Sequence, residues 1–148
     1  MKHFIAVLVC AFLVAVSARP ETDAEKVIAA GKNRIKEGHK VCQGNPATAV
    51  DDAALDQFLR SGGAPPANLG PHLLCISKNA GWQNEDGSVN TAELERRVSG
   101  LYPDAAERKR VLGGCLTPQD TPEKTAQQIF KCYRAHVSNI GGSTQHEH

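Results

Sequence analysis

From Thr22 onward the apolar residues recur three and four positions apart, and no stretch alternates apolar and polar residues as a half-buried strand would. Thr22 and Glu25 form a capping box for a first helix, along which Ala24, Ile28 and Ile35 trace one face. A second helix is predicted from about Asp51 to Arg60, burying Leu55, Phe58 and Leu59. The run Ser61-Gly62-Gly63-Ala64-Pro65-Pro66 ends it, because glycine and proline both oppose continuation. Pro71 suits the first turn of a third helix carrying Leu73, Leu74, Cys75 and Ile76. Asn90 with Glu93 starts a fourth, with Leu94, Val98 and Leu101 on one side. Pro103 opens a fifth through Val111 and Leu112, closed by Gly113-Gly114. Thr121-Pro122 starts a sixth, whose stripe is Ala126, Ile129, Phe130, Tyr133 and Val137. The pattern predicts an all-α chain of five or six short helices.

Residues 1–18 stand outside that pattern. Lys2 precedes an almost unbroken apolar run from Phe4 to Val16, and Val16-Ser17-Ala18 places small residues where a signal peptidase cuts. The expected product is secreted and extracellular, begins near Arg19, and has no later segment able to enter a membrane. Cleavage would leave 130 residues, enough for one helical domain over 19–137 followed by a flexible polar tail over 138–148. Its 16 basic and 16 acidic residues balance, and no basic run favours nucleic acid.

Four cysteines remain after the leader. Cys42, Cys75, Cys115 and Cys132 have 32, 39 and 16 residues between them. In a secreted chain an even number of cysteines reads as a disulfide framework, and two bridges leave three connectivities open. A zinc site would want a close pair, and no two of these cysteines are close enough in sequence. Short helices joined by glycine–proline loops make a modest core, so each bridge matters, at roughly 3–4 kcal/mol in the chain-entropy model.

The cysteine spacing within an all-helical secreted chain resembles the insect odorant-binding protein family, of the pheromone and general odorant-binding type, in its four-cysteine branch. The family pattern has six cysteines, with three residues between the second and third and eight between the fifth and sixth. Those positions fall here on Pro71 and Glu123. In the family the two pair with each other, so a whole bridge is missing and no thiol is orphaned. The loop Gly81-Trp82-Gln83-Asn84-Glu85-Asp86-Gly87-Ser88 is similar to the family's inter-helix loop.

The resemblance implies the pairing Cys42–Cys75 and Cys115–Cys132, and about six helices around an internal apolar cavity. It implies a carrier of small hydrophobic molecules (odorants, pheromones or similar alcohols, esters and terpenoids) through aqueous fluid. A membrane chemoreceptor is a further partner to consider, and the expected state is a monomer or weak homodimer. The missing central bridge implies a more deformable pocket. Ser77 and Tyr133 match positions where family members hold a polar or aromatic group toward the ligand. Phe58, Leu73, Leu94, Val98, Leu112, Ile129 and Phe130 are the candidate apolar walls, since ligand pockets combine such walls with few polar groups. The alternative is a carrier of the same fold outside olfaction, in reproductive fluid, haemolymph or venom.

Metal binding and catalysis find little support in the residues. Trp82 to Glu93 matches much of a calcium loop, with Asn84, Asp86, Gly87, Ser88, Asn90 and Glu93 at the right offsets. The first ligand position, however, is Trp82, which has no oxygen, so the stretch reads as a turn and a helix cap, with no metal or other cofactor expected. His39, His72 and His136 are isolated in sequence and read as surface residues, with a pH-sensitive role for any that reaches the pocket. No catalytic residue is assigned: G-x-S-x-G, H-E-x-x-H and P-loop patterns are all missing, and an enzyme is not expected.

Overall fold

A computed structural model describes residues 20–142. The proposed leader, His146 and His148 lie outside the described residues. Six helices follow in order: α1 Asp23–Gln43, α2 Asp52–Ser61, α3 Leu69–Asn79, α4 Thr91–Val98, α5 Ala105–Cys115 and α6 Pro122–Gly142. Among the described residues the only extended pairing is an isolated antiparallel bridge between Gln83 and Val89. The fold is all-α.

The helix starts follow the capping logic of the sequence. Thr22 and Glu25 close a capping box on α1, and Asp51, Asn90 and Asp104 each accept the backbone N–H three residues on. Three boundaries differ from expectation. The fifth helix begins at Ala105, with Asp104 as its cap and Pro103 outside it. It also runs through Gly113-Gly114 to Cys115 instead of stopping at the glycines. Each glycine costs about 1 kcal/mol of helix propensity, and the bond from Cys115 to α6 holds the turn in place. Finally, α6 continues through Gly142, past the point after Val137 where the composition turns polar and glycine-rich.

Disulfides Cys42–Cys75 and Cys115–Cys132 tie α1 to α3 and α5 to α6. The closest helix pairings are α3 on α6 and α1 on α3. Where α1 crosses α3, Gly38 is buried, and a β-carbon there would come within 3.1 Å of Ile76. The core gathers Ala80, Trp82, Leu94, Leu112 and Ile129, with Phe130 and Tyr133 packed against it. Gly87, at φ 85°, brings the loop against the first turn of α6. A β-carbon there would sit 2.7 Å from Pro122 Cβ. By contrast α2 buries no residue fully, and its apolar face is left over a space rather than a packed neighbour.

Pro71 and Glu123, the positions of the missing bridge, line one shallow surface hollow between α3 and α6. Gly70 makes the tighter approach: its β-carbon, if present, would lie 3.3 Å from Glu123 Cβ.

Candidate binding cavities

Two cavities flank the core. The smaller, about 320 Å³, lies among α1, α4, α5 and α6. The larger, about 840 Å³, lies among α1, α2, α3 and α6. Both volumes fall in the range of about 300–1,000 Å³ typical of small-molecule sites.

The candidate wall residues divide between them. Leu94, Val98, Leu112 and Ile129 line the smaller cavity, together with Val27, Ile28, Trp82 and Val111. Phe58, Leu73 and Phe130 line the larger, together with Ile35, Leu55, Leu69 and Ile76. Tyr133 is the one residue that lines both. Its ring stacks 5.3 Å from Trp82, whose other neighbour is Phe130 at 5.0 Å. These three rings form the partition. Gly31 makes room for Tyr133, because a β-carbon there would meet the phenol oxygen at 3.2 Å.

Ser77 departs from expectation. It is fully buried, lines neither cavity, and its Oγ has no hydrogen-bond partner. It lies on the packed side of α3, where its carbonyl accepts the N–H of Trp82. The spacing from Cys75 places it on an inward face, but this face meets protein instead of space.

Two polar groups in the smaller cavity have unused hydrogen-bonding capacity. The Tyr133 hydroxyl is buried without a partner, and burial pushes its pKa above the ordinary phenol value. Arg97 donates from Nε to Glu93 at 2.6 Å and from Nη2 to the Ala80 carbonyl at 2.6 Å, while its buried Nη1 has no acceptor. Burial draws its guanidinium down from the ordinary value, against the pull of Glu93. The Glu93 carboxylate binds both Arg96 and Arg97, and these contacts, Arg96 first, hold its pKa down to about 2. The other oxygens of the calcium-like stretch are also used locally. Asp86 Oδ1 accepts from the Ser88 N–H and Oγ–H at 2.8 and 2.6 Å, and Asn90 caps α4.

The histidines are not simple surface residues. His39 Nδ1 lies 2.9 Å from His72 Nε2, His72 Nδ1 lies 2.7 Å from the Thr48 carbonyl, and His39 Nε2 lies 3.2 Å from Asp52 Oδ1. Both line the larger cavity. His136 approaches the Tyr102 hydroxyl at 3.0 Å beside the smaller one. No local pattern announces these pairings, because 33 positions separate His39 from His72 and 34 separate Tyr102 from His136.

The model of the PBP/GOBP family matches residues 24–136. The chain belongs to the PBP/GOBP family. Two curated relatives from Tenebrio molitor, the B2 protein and the B1 protein, are each 29% identical over 70 residues, or 47% of this chain. The match covers 55% and 54% of their lengths, so the chain spans about half of the curated relatives it matches. No solved structure gives a significant match. Membership places this PBP/GOBP chain in a family of binding proteins for small hydrophobic ligands, typically secreted. Among the described residues no helix is long and apolar enough to cross a membrane.

Proposed function

We propose that this protein carries small apolar molecules bearing one polar group, such as alcohols, esters or terpenoids, and that Tyr133 receives the polar group. The observation that carries this reading is the Tyr133 hydroxyl, buried without a partner on the partition between two apolar cavities. An unmade hydrogen bond at a buried group costs about 1–3 kcal/mol. A ligand hydroxyl or carbonyl that filled the vacancy would recover part of that cost on binding. In the smaller cavity the free Nη1 of Arg97 offers a second donor. Leu94, Val98, Leu112 and Ile129 supply the apolar wall there, and Phe58, Leu73 and Phe130 supply it in the larger cavity.

Odorants and pheromones fit this chemistry, and delivery to a membrane chemoreceptor would follow from an antennal location. Replacing Tyr133 by Phe tests the assignment. The variant keeps the ring stack on Trp82, so it should bind hydrocarbons as before and alcohols of equal length several-fold more weakly, by about 1 kcal/mol. Equal losses for both ligand types would remove Tyr133 from the role.

A further inference from the structure

In the smaller cavity Arg96 and Arg97 are taken up by Glu93, which leaves Arg34, among the described residues, as its one lining arginine outside an ion pair. The larger cavity differs at its mouth. Its floor is apolar, but Lys32 and Lys36 border it from α1, and Lys131 and Arg134 border it from α6. All four are exposed. No aspartate or glutamate lines this cavity. Among the described residues Lys32, Lys36 and Lys131 take part in no ion pair, and Arg134 donates only to the Leu59 carbonyl at 3.2 Å. Among the described residues Lys26, Lys40, Arg60, Arg96, Arg97, Arg110 and Lys124 are matched by carboxylates, and the other cations outside ion pairs, Arg34, Lys78, Arg108 and Lys109, do not line this cavity. In a chain with nearly equal numbers of acidic and basic residues, four unmatched cations around one opening are a local excess. The nearest carboxylate to the histidines, Asp52, is already engaged by His39 and by Gln43 Nε2 at 2.6 Å.

We infer that the larger cavity takes an amphipathic monocarboxylate, its alkyl chain on Phe58, Leu73 and Phe130 and its carboxylate among Lys32, Lys36, Lys131 and Arg134. The charge pattern calls for an anionic head and the floor calls for an apolar tail. Two cations on each side of the opening would share one carboxylate without requiring a single fixed geometry. An alcohol of the same chain length gains the floor but not the rim. This inference rests on the carrier reading only in that the cavity must admit an apolar chain. None of the four cations lines the smaller cavity, so neutralising them leaves the proposed alcohol site intact.

Calorimetric titration of the oxidised protein with dodecanoate and with dodecanol, at neutral pH, tests it. The variants are Lys32→Gln/Lys36→Gln, Lys131→Gln/Arg134→Gln and the four combined; all are surface changes that leave the core alone. Dodecanoate should bind the unmodified protein about tenfold more tightly than it binds the fourfold variant, the sum of a few exposed ion pairs. That difference should shrink as salt is raised toward 1 M, where screening acts over about 3 Å. Dodecanol should bind all forms equally. Dodecanoate affinity unchanged in the fourfold variant, or unchanged by salt, would overturn the inference while the carrier reading stood. Failure of both ligands to bind any form would overturn both.

Discussion

His39 Nδ1 lies 2.9 Å from Nε2 of His72, a side chain with no solvent exposure, and the two close a hydrogen-bonded chain from Asp52 to the Thr48 carbonyl. A carbonyl can only accept, so His72 Nδ1 donates to Thr48, and when His72 is neutral its Nε2 is the acceptor for His39 Nδ1. A second proton on His72 Nε2 would require His39 Nδ1 to give up its hydrogen and accept. Burial, first, and the proximity of His39 lower the His72 pKa below its ordinary 6.5. The Thr48 carbonyl and Asp52 oppose that shift without reversing it.

Stability should therefore depend on pH with a definite sign. The unfolded chain takes up the His72 proton near 6.5, and the folded chain only at lower pH, so unfolding is coupled to proton uptake. The stabilisation is complete above 6.5 and is lost as pH falls from 6.5 toward the lowered folded value. Denaturant melts across this range should show the loss. His72→Gln should be less stable at neutral pH, by about 1–3 kcal/mol for the broken buried bonds, with a shallower pH slope. An unchanged slope would show that other groups control the transition.

Ser77→Ala should leave alcohol binding unchanged, because Ser77 reaches neither cavity. It should also leave stability unchanged or raise it, by up to about 1 kcal/mol, since it removes a buried hydroxyl without a partner. Displacement assays and thermal melts on the variant check both halves. A selective loss of alcohol affinity would restore Ser77 to the site.

Gly70→Cys with Glu123→Cys should supply the missing central bridge, since the β-carbon separation of 3.3 Å is close to the usual disulfide value of about 3.8 Å. Closing a loop of 54 residues should raise stability by at most about 4 kcal/mol. Thiol counting should find none free, and the melting temperature should rise. Two persistent thiols in the folded variant would contradict the approach of α3 and α6 described above.

Much of this fold was legible because its signals are local. Capping residues marked the starts of α1 and α4 by side-chain chemistry within three positions, and apolar spacing marked inward faces. The wall residues were legible for the same reason: an inward face on a helix lines either core or cavity. Which of the two it lines depends on long-range packing, and Ser77 shows the cost of that ambiguity. The division into two cavities depends on Gly31 admitting Tyr133 from α1, a contact across more than a hundred residues. The glycine pair 113–114 misled because a covalent bond to α6 outweighs local helix propensity. The histidine chain and the cationic mouth carry no sequence signature, since their members come from separate helices.

The central claim is that the folded, oxidised chain binds a small apolar molecule inside. Trp82 is the sole tryptophan, lines the smaller cavity and stacks on Tyr133, so its emission reports occupancy without an added probe. A ligand of about 20 heavy atoms should gain roughly 6–7 kcal/mol, a dissociation constant of about 10–40 µM. Titration with an alcohol of that size should give a saturable change in Trp82 emission in that range. Leu112→Arg, in protein verified to fold, should abolish it by placing a charge in the cavity wall. No saturable change with any apolar alcohol, ester or terpenoid would contradict the account.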